Sequence, residues 1–170
     1  MNQENCNQQL TPHFSLKEMT ESQMAVKHGI ANVPSELEIE NLRKLCEGTL
    51  EPLREALGLP IIITSGYRCK ALNERVIYRS LKSQHVVGQA ADFYVAPGQS
   101  GFSRRELLIK AFRLIIQDES IDYDQLILYP SFIHVSYVSR DRNRRTILLG
   151  MRNGKLGYGK CSIQNALKIQ

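Results

Sequence analysis

The chain has 170 residues, 42% of them hydrophobic and 23% charged, which suits one domain with a core of its own and excludes a disordered or fibrous protein. Its net charge of +5 fits adhesion to an anionic surface or polymer without saying which. The four cysteines, Cys6, Cys46, Cys69 and Cys161, contain no C-x-x-C pair, which argues against a disulfide framework or a thiolate metal site.

In chain order, residues 1–11 are polar and rich in Asn and Gln, and they read as a disordered tail preceding a single domain over 12–170. No basic n-region followed by an apolar run is visible there, and no run approaches the length of a membrane span, so no membrane partner is expected. Ser15-Leu16-Lys17-Glu18 is a capping-box pattern that starts a short helix, and His13 before it reads as structural. Pro34-Ser35 opens a longer amphipathic helix that Pro52 should kink or split and Gly58 should close. The β-branched run Pro60 to Thr64 predicts a buried strand ending in Ser65-Gly66-Tyr67-Arg68. A short helix over 69–76 and a basic loop over 77–84 follow. Ala90 to Val95 reads as a strand with Ala91, Phe93 and Val95 on one face and Asp92 on the other. Ser103 caps an amphipathic helix to about Gln117. Asp124 to Tyr129 and Phe132 to Val138 form a hairpin around Pro130-Ser131, and Thr146 to Leu149 is a last short strand. The fold class expected is α+β: a small antiparallel sheet with helices packed on one side and a cleft on the other.

Two of these strands carry ligand-type residues. Asp92 lies between alanines on a mostly apolar strand, and an unpaired carboxylate there is costly to bury. His85 precedes it by seven positions, and His134 sits on the second hairpin strand. Two imidazoles and one carboxylate make the three-ligand set of a catalytic zinc site, with a fourth position left for water; a structural zinc usually takes four protein ligands.

The pattern Ser83-x-His85-x-x-Gly88-x-Ala90-x-Asp92, preceded by Ser65-Gly66-Tyr67-Arg68 and followed by His134-Val135-Ser136, resembles the zinc D-alanyl-D-alanine carboxypeptidase family. That family also holds L-alanyl-D-glutamate endopeptidases and D-Ala-D-Ala dipeptidases, and the likeness is strongest to its short, single-domain phage and bacterial members. The resemblance implies Zn2+ on His85, Asp92 and His134, and hydrolysis of an amide bond in peptidoglycan stem peptides. It implies that Arg68 either stabilises the oxyanion or clamps a terminal carboxylate, and that Ser83 binds substrate backbone or serves the turn. Tyr67, Gln89 and Ser136 fall near the site by motif, without assigned roles. The protein would be made in the cytoplasm and act at the wall once released, for example by phage-type lysis. A monomer is expected.

The match has a gap. Family members carry a glutamate or histidine shortly before the last zinc ligand, but Leu128 to Ile133 contains neither; position 131 is Ser and 132 is Phe. Asp122 and Asp124 are the nearest carboxylates, and Tyr129 is a candidate acid but a poor base, its reference pKa being about 10. Three function classes therefore stand: a zinc peptidase, a catalytically impaired module of the same fold that binds wall peptides or a protein, and a nucleic-acid or anionic-polymer binder using the basic cluster Arg140 to Arg145. That cluster has no interleaved aromatics, so it reads as a solvated loop and no nucleic-acid partner is expected.

Overall fold

The computed structural model describes residues 8–77, 80, 82–152 and 155–169. The first elements are short: β1 (Gln9–Thr11) pairs with β2 (Phe14–Ser15), and α1 (Leu16–Thr20) and α2 (Gln23–Lys27) follow. Residues 9–11 thus leave the expected tail, because Leu10 is buried in the main core and its strand pairs across a tight turn. Residues 1–7 of that tail lie outside the described residues. Ser15 and Glu18 close the expected capping box on α1. His13, at the tip of the turn, hydrogen-bonds Glu51, a carboxylate that burial alone would push up and that Thr11 and His13 hold down.

The long helix is split as Pro52 demands. α3 (Glu36–Leu45) starts at a Ser35–Glu38 capping box and loosens into one π-type turn over Cys46–Leu50. α4 (Glu51–Leu57) then begins with Pro52 in its first turn, where the missing N–H costs nothing, and ends at Gly58 with φ +62°. β3 (Ile61–Ser65) leads through Gly66 to α5 (Lys70–Asn73), shorter than expected. A 3-10 turn over Gln84–Val87 precedes β4 (Ala90–Val95). Within the basic loop expected over 77–84, residues 78, 79 and 81 lie outside the described residues. The amphipathic α6 (Arg104–Gln117) is capped by Ser103 and followed by β5 (Gln125–Leu128) and β6 (Ile133–Ser136). β7 (Thr146–Arg152), β8 (Lys155–Lys160) and α7 (Ile163–Ala166) complete the chain, the last two without a counterpart in the sequence reading.

The fold is α+β, with the two-stranded β1–β2 ribbon beside a six-stranded sheet of order β3-β4-β6-β5-β7-β8. That sheet is larger than expected and mixed: β7 runs parallel to β5, since the chain leaves β6 and returns along the far side of β5. Strand alternation gives the sheet two unlike faces. Ala91, Phe93, Val95, Leu126, Leu128, Ile133 and Val135 face the core, where α6 packs Leu107, Leu108, Ala111, Phe112 and Ile115. Each of the Val, Leu, Ile and Phe side chains among them contributes about 1.5–3 kcal/mol when fully buried. The opposite face carries Asp92, Gln125, Ile127 and His134 toward an open cleft. Cys46, Cys69 and Cys161 are free thiols, and Cys6 lies outside the described residues.

Candidate metal centre

Sheet register brings two candidate ligands together. β4 and β6 are antiparallel, with Asp92 directly opposite His134, so their side chains leave the same face side by side. His134 Nδ1 lies 2.7 Å from Asp92 Oδ1.

His85 arrives from outside the sheet, on the 3-10 turn. Gly88 closes that turn at φ +71°, and a Cβ there would stand 2.4 Å from the Glu38 carbonyl oxygen, so glycine is required twice over. The His85 ring is buried, and its Nδ1 donates to the Gly66 carbonyl at 2.6 Å. In the neutral ring this leaves the Nε2 lone pair aimed at the other two residues. Nε2 is 3.2 Å from His134 Nδ1 and 3.4 Å from Asp92 Oδ1. Gly66 is needed for a similar reason, because a Cβ there would meet the Met19 carbonyl at 2.2 Å.

The three ligand atoms therefore form a triangle with edges of 2.7, 3.2 and 3.4 Å. Tetrahedral zinc with ligands at about 2.0–2.1 Å spaces them about 3.3 Å apart, so two edges fit as they stand. The short edge is a hydrogen bond whose proton an ion would replace. Among the described residues these three make the group of His, Cys, Asp and Glu side chains able to hold a metal. The electrostatics agree with a cation site. Burial would raise the Asp92 carboxyl, but the two imidazoles outweigh it and hold the group far below the usual carboxylate range. Burial pushes the His85 imidazole down, against the pull of Asp92, the direction that favours the neutral form a ligand needs.

Above the triangle opens a cleft of about 590 Å³. Arg68, Lys82 and Arg144 line it, and Asp92 is the sole carboxylate among its described lining residues. Arg68 donates its backbone N–H to the His85 carbonyl at 3.1 Å and reaches Ser83 Oγ with Nη2 at 3.4 Å. Among the described residues its Nε is buried without a hydrogen-bond partner, and burial pulls its pKa down against Asp92 and Tyr129. Guanidinium stays charged regardless. Tyr129 is in the cleft wall, stacked on Phe132 at 4.3 Å between ring centroids, with its ring against Gly150.

The structure thus gathers His85, Asp92, His134, Arg68, Ser83 and Tyr129 around one cavity. It does not bring in Tyr67, Gln89 or Ser136. Tyr67 is buried in the core, and burial, with Glu38 against its hydroxyl, pushes its pKa up to about 12. Ser136 is fully buried and bonds Gln125 and Asp124. Asp122 and Asp124 also drop out as bases. Both are buried, Asp122 held by Arg145, Asn143 and the Tyr123 N–H, and Asp124 by Arg144, Gln84 and Ser136. These ion pairs also correct the reading of Arg140 to Arg145 as a wholly solvated loop: Arg144 and Arg145 each anchor it to a buried aspartate. Sequence reasoning missed Lys82 and Arg144 in the cleft because both lay in stretches whose charge has no periodicity to read.

Comparison with curated proteins gave no significant match. A family model described as Peptidase M15 matches residues 12–136, a span that holds Arg68, Ser83, Tyr129 and all three candidate ligands. With that model matching well over half of the chain, on the same residues that converge in space, the protein belongs to the Peptidase M15 family of zinc peptidases.

Proposed function

We propose that this protein is a zinc-dependent metallopeptidase that hydrolyses an amide bond in peptidoglycan stem peptides, acting at the cell wall after release from the cytoplasm. The observation that carries the reading is the convergence of His85 Nε2, Asp92 Oδ1 and His134 Nδ1 at the foot of a cleft whose other charged lining groups are cations. When bound, zinc would activate a water and polarise the scissile carbonyl. Arg68 supplies a fixed positive charge beside the ligands, suited to a developing oxyanion or, through its planar fork, to a terminal carboxylate. Ser83 Oγ, held by Arg68, can bond substrate backbone. Lys82 and Arg144 add to the attraction for a peptide rich in carboxylates. Tyr129 can give a proton to the leaving amine but cannot readily take one near neutral pH.

A second reading rests on the same cleft. With Asp92 committed to the ligand triangle, no described lining residue is left as a carboxylate base, which favours a module of this fold that binds wall peptides with little turnover. Elemental analysis of protein purified without added metal, together with mass spectrometry of muropeptides digested with and without chelator, separates the two. Chelator-sensitive release of a stem-peptide fragment supports the peptidase; bound zinc with no product supports the binding module.

A further inference from the structure

The three candidate ligands differ in how they are held. Asp92 and His134 are cross-strand partners, fixed by backbone pairing. His85 stands on a turn outside the sheet, and that turn begins at Gln84. The Gln84 amide is engaged at both ends: Nε2 donates to Asp124 Oδ2 at 2.8 Å, and Oε1 accepts from Arg144 Nη2 at 3.2 Å. Arg144 closes the ring, donating to Asp124 Oδ1 through Nε at 2.8 Å and its backbone N–H at 2.9 Å, and to Oδ2 through Nη2 at 2.5 Å. Asp124 is almost fully buried beside β6, its N–H donating to the Ser136 carbonyl at 2.7 Å and its Oδ2 accepting from Ser136 Oγ at 3.4 Å. The next residue, Arg145, has φ +50°, a conformation a side chain rarely adopts, and it sends its guanidinium to the second buried aspartate, Asp122. The chain is thus bent so that two successive arginines meet two different carboxylates.

We propose that Gln84, Asp124 and Arg144 form a clasp that locks the His85 turn against the β5–β6 hairpin and thereby sets the affinity of the site for its metal. The proposal rests on the metal reading above, and these three are positioning residues: none is a ligand. Ser136 is two residues from His134 on the same strand, so the clasp connects one imidazole's turn to the other's strand. Losing it leaves each ligand present but lets His85 Nε2 drift from the triangle. Loss of a residue that orients a ligand typically costs about 10- to 100-fold in metal affinity.

The test uses Gln84→Met, which keeps the side chain's length and removes both bonds, and Arg144→Lys, which keeps a charge for Asp124 but cannot also span to Gln84. Zinc affinity is read by competition with a chromophoric chelator, coordination by the visible absorption of the cobalt-loaded protein, and folding by melting of the metal-free protein. Expected are a zinc affinity lower by about tenfold or more in each variant, a weakened or shifted cobalt band, a metal-free protein still folded at the assay temperature, and a double variant no worse than the worse single one. Wild-type affinity in Gln84→Met, or a loss of affinity seen only where the metal-free variant is already unfolded, would overturn the clasp. A wild-type protein that binds neither ion would overturn the metal reading and the clasp with it, so the two failures are distinguishable.

Discussion

Two parts of the cleft lining are built in different ways. Around the ligands, backbone pairing sets Asp92 beside His134, the Gly66 carbonyl orients His85, and Arg68 stands next to them, so nearly every group is charged or polar and converges on one point. In the stretch just before His134, the wall is the stacked pair Tyr129 and Phe132, with the Tyr129 ring against Gly150. The contrast separates holding a metal from using it. Ligands need only direction and a lone pair, whereas proton transfer needs a group whose pKa lies near the working pH.

The largest expected effect breaks the ligand group outright. His134→Ala should abolish bound zinc, measured by elemental analysis of protein purified without added metal, because two ligands seldom retain the ion. Full zinc content in that variant would remove this site from consideration. Next comes Arg68→Lys, which should lower hydrolysis about 10²- to 10³-fold with zinc content unchanged, since lysine keeps the charge and loses the fork. Unaltered turnover would make Arg68 structural.

The aromatic part of the wall is sharpened by adding what it lacks. Tyr129→Glu places a carboxylate in the cleft wall and should raise turnover of muropeptides by about tenfold or more, while Ser131→Glu should not, because Ser131 is exposed at the hairpin tip and does not line the cleft. Equal effects from the two would show that the proton path does not run through position 129.

The smallest effect concerns stability. Burial raises the Asp124 carboxyl, but Arg144 and Gln84 outweigh it and hold its folded pKa below the ordinary value. The stabilisation is therefore fully present above the unfolded carboxylate pKa, about 4, and is lost as pH falls through the folded value. Asp124→Asn should flatten the acid side of the melting-temperature profile below about pH 4, with a loss on the order of 1–3 kcal/mol near neutrality from the unpaired arginine and buried amide. A parallel acid slope in both proteins would contradict the assignment.

Much of the site is local and therefore legible. Period-two alternation separated Asp92 from Phe93 and His134 from Val135, and the structure keeps both separations. The capping box at Ser15, the helix starts at Ser35 and Ser103 and the break at Pro52 depend on residues close in sequence, and each appears near where those residues stand. The burial of Leu10 escaped notice because its partners lie far along the chain.

What the amino-acid order determined by itself was which residues can ligate, which face of each strand they occupy and where the helices at Ser15, Ser35 and Ser103 begin, since these follow from chemistry and short-range periodicity. Only the tertiary structure decided that Asp92 and His134 share a register, that β7 runs parallel to β5, and that Asp122 and Asp124 are spent on Arg145 and Arg144. Those outcomes depend on strand pairing and on charges 20 or more positions apart. No local pattern specifies such partners, because any of several arginines could satisfy a buried carboxylate until the sheet chooses one.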